Sequence, residues 1–150
     1  MEQVICQEMA SGEEQVVCEL AQQVFNEFVG LGYKQEGVEE FFRFANPNAM
    51  RERMQLGGFV LVARQTDRLV GMLEFASPDR IAMLFVTLRH QGVAKELFAQ
   101  AIRKARAVNP DLWKVTVHSS PYAESIYLKM GFRRIGRATT DHGITYIPMA

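Results

Sequence analysis

The sequence predicts a single α/β domain that uses all 150 residues, with a mixed, mostly antiparallel twisted sheet and flanking helices. Three strand-sized apolar segments at 59–64, 69–75 and 80–86 are joined by short polar turns. Such links favour antiparallel pairing, because parallel neighbours need a crossover of a dozen or more residues. A helical apolar stripe over 91–107 then leads to a strand at 113–118, and this order predicts one parallel strand–helix–strand unit.

The part of the chain before these strands predicts one short strand and three helical pieces. The strand is expected at 4–7, and Ser11 with Glu14 three residues later has the pattern of a capping box that opens the first helix. Gly30 and Gly32 are expected to end that helix. The other two pieces are expected at about 38–45, which stops at Asn46-Pro47, and around Met50 and Met54.

The C-terminal part predicts a short helix followed by a hairpin. Ser120-Pro121 places proline at the first helical position, and Gly131 ends this helix. The hairpin strands are expected at 132–137 and 144–149. Because 144–149 is largely apolar and an unpaired apolar edge tends to be covered, we expect a weak homodimer through that edge. The preceding strand or a helix of the same chain could equally cover it.

Composition and charge exclude several classes of protein. Apolar residues make up 48% of the chain, and 17 basic residues balance 17 acidic ones, so the basic excess typical of nucleic-acid binding is missing. The apolar runs are strand-sized, well short of the roughly 20 residues of a membrane span. The N-terminus has neither a basic region nor a long apolar stretch, so no secretory signal is expected. We therefore expect a cytoplasmic protein without membrane association, with Cys6 and Cys18 as buried free thiols.

A loop between a buried strand and the start of a helix is the first segment that suggests chemistry. Unpaired backbone N–H groups and the positive end of the helix dipole make such a loop suited to a phosphate. Its sequence does not fit the two familiar phosphate loops, GxxxxGK[ST] and GxGxxG, and an ordinary strand-to-helix connection explains it equally well. The loop consists of Arg89, His90, Gln91, Gly92, Val93 and Ala94.

The second segment that suggests chemistry contains a tyrosine on the next predicted helix. Tyr127 lies four residues after Ala123, hence on the same helical face. A phenol directed into a cleft could donate a proton to a leaving thiolate. A lone helical tyrosine is more often a packing residue, and that alternative stays open from this segment alone.

The two segments together resemble the GNAT superfamily of acyl-CoA N-acyltransferases. Residues 89–94 match its (Arg/Gln)-x-x-Gly-x-(Gly/Ala) pyrophosphate loop, and residues 123–132 match its Ala-x-x-x-Tyr-x-Lys-x-Gly-Phe segment. Order and separation also agree, with one strand between the motifs. The resemblance is sharpest over 81–132, and the family's order of helices and strands fits nearly the whole chain.

The resemblance implies acetyl-CoA as co-substrate and a role for each matching residue. Residues 89–94 would hold the pyrophosphate, and Ala123 would lie against the thiol end of the cofactor. Tyr127 would protonate the departing thiolate. Many members have asparagine where this chain has Ser120, so a contact from Ser120 to the pantetheine arm is carried over only weakly. Two neighbouring parallel strands would splay apart and expose backbone groups to that arm at Leu84, Phe85 and Val86.

Two residues are candidates for the base that deprotonates the amine. Glu74 lies on the strand before the motif strand and is predicted as the base, directly or through water. His118, at the end of the next strand, is the second candidate. Each has an ordinary alternative, an outward-facing carboxylate for Glu74 and a half-buried strand residue for His118. No histidine spacing suggests zinc, so no metal is expected.

The acceptor site would come from the N-terminal helices and the loops over the sheet. Tyr33, Phe41, Phe42 and Phe44 cluster there, and core packing is preferred over a pocket wall for them. The resulting hypothesis is transfer of an acetyl group from acetyl-CoA to a primary amine of a small molecule or peptide by direct attack. The alternatives are an acyl-CoA-binding module without catalysis and a structural or dimerisation protein without a cofactor.

Overall fold

A computed structural model of the chain describes residues 3–87 and 92–150. Within them, seven strands form one sheet. Their bounds are β1 (Val4–Glu8), β2 (Phe59–Gln65), β3 (Arg68–Ala76), β4 (Arg80–Val86), β5 (Thr116–Ser119), β6 (Thr139–Asp141) and β7 (Ile144–Met149). The α-helices are α1 (Glu14–Val24), α2 (Gln35–Phe44), α3 (Pro47–Gln55), α4 (Val93–Val108) and α5 (Glu124–Lys129).

The strand order in the sheet is β1-β2-β3-β4-β5-β7-β6. All neighbours pair antiparallel except β4 and β5, which are parallel and are connected through α4. This arrangement confirms the predicted fold class. The parallel pairing is short, because only Arg80 with Thr116 and Ile81 with Val117 are in register before the two strands separate.

The helices cover both faces of the sheet. Helices α1, α2 and α3 pack over one face on a core that includes Val17, Met50 and Met72, while α4 covers the other face through Leu97 and Ala101. Alternating side chains along β2 and β3 supply both cores, so these central strands are buried on each side. Helix α2 also contacts strand β7, so the N-terminal helices meet the C-terminal hairpin.

The connection between α1 and α2 contains a π-helical turn at Phe25–Val29 and a 3₁₀ turn at Gly30–Gly32. The sequence predicted one continuous helix up to Gly30. Single π-helical turns inside helices are frequently found at functional sites. Here the turn places Phe25 in the core against α2 and leaves Phe28 half exposed beside Tyr122.

The predicted capping box at the first helix is wrong. Helix α1 begins at Glu14, three residues after Ser11, and has no side-chain cap. Ser11 and Gly12 form a turn, and Gly12 takes up a positive φ of 96°. The carboxylates of Glu13 and Glu14 instead accept hydrogen bonds from the N–H groups of Ala10 and Gly12.

The start of the last helix also differs from the prediction. Helix α5 begins at Glu124 rather than at Ser120-Pro121, because residues 120–123 form a turn in which the Ala123 N–H donates to the Ser120 carbonyl. Gly131 ends the helix as predicted, with a φ of 102°. The strand expected over 113–118 is shorter and forms at Thr116–Ser119.

The predicted hairpin has the wrong first strand. Strand β7 pairs with β6 at Thr139–Asp141, whereas 132–137 contributes only an isolated bridge from Arg134 to Met149. Pro148 has no N–H to donate, so it accepts from the Ile135 N–H without returning a bond, and a regular ladder cannot form there.

This pairing changes the basis for the homodimer prediction. Strand β7 lies between β5 and β6 inside the sheet, so 144–149 is not an unpaired edge. The homodimer stays a prediction without the apolar edge that suggested it.

None of the helices in the described part of the chain is long and apolar enough to span a membrane. Cys18 is buried and Cys6 half-buried, and both are free thiols.

Candidate active site

The separation of β4 from β5 opens a partly enclosed cavity of about 300 Å³. Past Ile81, strand β4 keeps β3 on one side and faces the cavity on the other. Leu84, Phe85 and Val86 all line it. Their predicted contact with the pantetheine arm stays a prediction. The backbone edge that β5 leaves unpaired is able to exchange hydrogen bonds with an extended amide-containing ligand.

The start of α4 lies beside this opening. Gly92 precedes the helix with a φ of 69°, a left-handed conformation that favours glycine, and a Cβ built there meets nothing within 4 Å. Ala94 lines the cavity, whereas the Val93 side chain is buried in the core below, so only its backbone can face a ligand. The other three residues predicted for the phosphate loop, Arg89, His90 and Gln91, lie outside the described residues.

The turn after β5 contributes two predicted residues to the same cavity. Ser120 and Ala123 both line it. The Ser120 hydroxyl oxygen accepts from the Ala123 N–H at 3.1 Å, which fixes the turn that begins α5. Since the oxygen serves as the acceptor, the hydroxyl hydrogen can still donate to a ligand.

Tyr127 lies in the cavity wall on α5, one helical turn past Ala123. Its ring packs edge-on against Phe132 with centroids 5.4 Å apart, and the side chain is 4% exposed. Burial disfavours the charged phenolate and raises the pKa of Tyr127 well above its usual range. The phenol is therefore a neutral proton donor at physiological pH that packing holds in one orientation.

Glu74 lies outside the cavity. Its side chain is 0% exposed, and its carboxylate accepts two hydrogen bonds from Arg53 of α3, at 2.6 Å from Nε and 2.9 Å from Nη2. The Arg53 guanidinium also stacks 3.7 Å from the ring centroid of Phe44, which lines the cavity. With both oxygens occupied, Glu74 is not placed to receive a proton from an amine in the cavity, and it is not the outward-facing residue of the alternative prediction either.

His118 lies in the cavity wall at the end of β5. Its ring stacks on Tyr146 of β7, with centroids 4.1 Å apart and planes 13° apart. Burial, and then the positive charge of Arg80, lower the pKa of His118 below its ordinary value. The imidazole is therefore mostly neutral near pH 7 and able to accept a proton.

The far wall of the cavity comes from parts of the chain that the sequence treated as core or as an edge. Phe41 and Tyr33 belong to both the aromatic core and the cavity lining, so both interpretations of this cluster hold. Phe42 packs against the core and is not among the lining residues. No local pattern predicted that six further residues would line the cavity, because their positions depend on how α1, α2 and β7 meet: Phe25, Glu40, Tyr122, Ile144, Thr145 and Tyr146.

A model of the acetyltransferase (GNAT) domain matches residues 31–150, which include the cavity wall from α2 to β7. The chain belongs to the GNAT acetyltransferase family. No curated protein sequence matches it. The match includes both segments on which the sequence resemblance was based.

Solved structures agree with this assignment at the level of the fold. A GCN5-related N-acetyltransferase from Rhodopseudomonas palustris superposes with a TM-score of 0.79 at 18% identity, covering 99% of this chain and 95% of the other. The PaiA N-acetyltransferase of Thermoplasma acidophilum, solved in complex with coenzyme A, has a TM-score of 0.77 at 16% identity over 98% of both chains. A GNAT-family acetyltransferase from Staphylococcus aureus has a TM-score of 0.74 at 15% identity, covering 97% and 98%.

In this GNAT acetyltransferase the described residues hold no group of three or more His, Cys, Asp or Glu side chains placed to bind a metal ion. The cavity instead brings together an opened parallel strand pair, a helix start with a left-handed glycine, a buried phenol and a neutral imidazole. Such a set can bind an extended anionic ligand and move protons at one end of it.

Proposed function

We propose that this GNAT protein is an N-acetyltransferase that moves an acetyl group from acetyl-CoA to a primary amine of a small molecule or peptide. The observation that carries the proposal is the position of Tyr127, whose buried phenol lines the cavity that opens between β4 and β5. The solved complex of the Thermoplasma acidophilum relative with coenzyme A supports an acyl-CoA ligand.

The residues present fit acetyl-CoA. Leu84, Phe85 and Val86 offer a strand edge for the pantetheine arm, and the Ser120 hydroxyl is a further donor beside it. The open space at Gly92 and the N–H groups at the start of α4 suit the pyrophosphate, whose negative charge the helix dipole favours. Arg89, His90 and Gln91 stay a prediction for the rest of this contact.

We assign the two proton transfers to two residues that line the cavity. When bound, acetyl-CoA supplies the thioester carbonyl that an amine attacks, and its thiolate is the leaving group. We propose that Tyr127 protonates this thiolate, since its phenol stays neutral at working pH. We propose His118 in place of Glu74 as the base, because the His118 imidazole lines the cavity and is mostly neutral near pH 7.

The proposal is tested by measuring thiol release from acetyl-CoA with a panel of amines, together with calorimetric titration of acetyl-CoA. Amine-dependent thiol release with stoichiometric binding supports the enzyme. Binding without thiol release for any amine supports an acyl-CoA-binding module without catalysis. No binding at all supports the third hypothesis, a structural protein without a cofactor.

A pair of substitutions at Gly92 tests the pyrophosphate site. Aspartate and asparagine both tolerate a positive φ and have nearly the same shape, so they differ mainly in charge. We expect Gly92→Asp to raise the Kd for acetyl-CoA at least about fivefold relative to Gly92→Asn, from repulsion of about 1 kcal/mol or more between close like charges. Equal Kd values in calorimetry would place the pyrophosphate elsewhere.

A pH profile tests His118. In the wild type, kcat/KM for the amine should fall as pH drops through the pKa of His118, which lies below its ordinary value of about 6.5. Because His118→Gln removes the base, we expect about a 10²-fold loss near pH 7 that shrinks as pH rises and more of the amine is already deprotonated. A loss of equal size at every pH would indicate a packing role instead.

A further inference from the structure

Five aromatic residues line one cavity and form what we call the aromatic chamber: Phe25, Tyr33, Phe41, Phe44 and Phe85. Phe25 and Phe41 stack with ring planes 3° apart and centroids at 4.0 Å. Phe41 meets Phe85 of β4 edge-on at 5.5 Å, and Phe25 meets Tyr33 in the same way at 5.5 Å. These contacts fix the rings, so the chamber presents a preformed apolar surface.

The segment from Tyr33 into α2 lies in close contact with the β6–β7 hairpin beside this chamber. The Tyr33 hydroxyl donates to the Thr145 carbonyl at 2.9 Å. At Gly37 a Cβ would lie only 2.2 Å from the Gly143 carbonyl oxygen, so the backbones touch there. Because Tyr33 and Thr145 themselves line the cavity, this contact joins its two walls and restricts the space for an acceptor that continues into a peptide chain.

A carboxylate supplies the charge in the cavity wall. Glu40 is the one Asp, Glu, Lys or Arg side chain among the described residues that line the cavity. Its Oε2 accepts from Arg43 Nη2 at 2.6 Å, and this hydrogen bond lowers the pKa of Glu40, so the carboxylate is ionised at neutral pH. Arg43 offsets part of this charge, but its guanidinium does not line the cavity, so the Glu40 carboxylate is the nearer charge to an acceptor. It favours a cationic acceptor and disfavours one that bears its own carboxylate.

We propose that the acceptor is a small arylalkyl amine without a carboxylate, and that Glu40 selects against acceptors that carry one. This inference rests on the proposed acetyl transfer and narrows its acceptor from any primary amine to one class. The aromatic chamber holds the aryl body, the contact between α2 and the β6–β7 turn excludes chain extension, and His118 and Tyr127 line the cavity where the amine nitrogen reacts.

Four amines separate the effects of the aryl body, of an added carboxylate and of an added peptide chain on acetylation. Phenethylamine has the proposed aryl body and amine, phenylalanine adds a carboxylate, a phenylalanyl tripeptide adds a chain, and spermidine removes the aryl body. We expect kcat/KM for phenethylamine to exceed that for spermidine by about 10–10²-fold, from burial of one aromatic ring. It should exceed that for phenylalanine about two- to fivefold, from repulsion by the partly exposed Glu40 carboxylate. The tripeptide should be the poorest aryl acceptor.

A substitution of Glu40 tests the charge directly. Glu40→Gln should reduce the preference for phenethylamine over phenylalanine about two- to fivefold, through a lower KM for phenylalanine with little change in kcat. Glu39→Gln is the matched control, since Glu39 is exposed on α2 and does not line the cavity. An unchanged preference in Glu40→Gln, or an equal change in Glu39→Gln, overturns the role of Glu40.

The outcomes also separate this inference from the proposed function. Efficient acetylation of spermidine or of the tripeptide, with phenethylamine a poor acceptor, overturns the arylalkyl class and leaves acetyl transfer standing. If no probe is acetylated, calorimetry of phenethylamine with the protein saturated in coenzyme A decides whether the chamber binds an aryl amine. Binding there supports the chamber as an aryl amine site and removes catalysis, whereas absence of binding overturns the inference.

Discussion

Tyr127→Phe should lower kcat by about 10²–10⁴-fold and leave the Kd for acetyl-CoA nearly unchanged. The substitution removes the phenol hydrogen but almost no volume, so the ring contact with Phe132 is kept. A thiol with a pKa near 8.5, by analogy with cysteine, yields a moderate leaving group, and protonation of the sulfur as it departs favours the forward reaction. Loss of the donor therefore affects the chemical step rather than binding.

Measurements of kcat, of the Kd for acetyl-CoA and of Tm on this variant separate catalysis from packing. A packing role for Tyr127 predicts a lower Tm and a wild-type kcat in the folded fraction, whereas the donor role predicts the opposite. Tyr33→Phe is a suitable control, because this residue also lines the cavity but its hydroxyl is engaged with the Thr145 carbonyl. A stable Tyr127→Phe protein that turns over at the wild-type rate would sink the general-acid assignment.

Arg53→Met should lower the free energy of unfolding by about 3–5 kcal/mol. The Glu74 carboxylate is fully buried and both its oxygens pair with Arg53, so removal of the guanidinium leaves an uncompensated charge in the core. The stacking of Arg53 on Phe44 is lost as well. For a domain of this size we expect a fall in Tm of about 10 °C, measurable by calorimetry or urea denaturation.

The double variant Arg53→Met with Glu74→Met distinguishes a structural role for Glu74 from a catalytic one. Replacement of a whole buried ion pair by apolar side chains of similar volume is often neutral, so we expect most of the lost stability to return. The kcat of the double variant should stay near the wild-type value if His118 is the base. A stable double variant without turnover would reinstate Glu74 as the residue that deprotonates the amine.

Much of the fold was predictable because its signals are local. The short turns before β3 and β4 could only join antiparallel neighbours, and the long helical stripe of α4 required a crossover to a parallel strand. The motif residues on α5 followed from spacing along one helix. The predicted starts of α1 and α5 were wrong because, at the end of a helix, a turn competes with the helix for the same backbone groups.

Other features depend on residues far apart in the sequence. The hairpin partner of β7 was missed because Pro148 prevents a ladder with 132–137, and only the packed sheet shows that 139–141 takes that place. Glu74 looked like a base because nothing in its own segment predicts that Arg53, 21 residues away, occupies its carboxylate. Glu40 had no signal at all, since its place in a cavity depends on the docking of α2.

The sequence by itself determined the family through the resemblance of its two motifs. It also determined the order of the elements and the positions of Gly92 and Tyr127, because each of these depends on a pattern within one strand, loop or helix. Tertiary structure alone decided that β4 and β5 separate after two paired residues, that β7 is an interior strand, and that His118 rather than Glu74 lines the cavity. The physical reason is that burial and pairing depend on which distant side chains fill the same space, and local patterns carry no information about that choice.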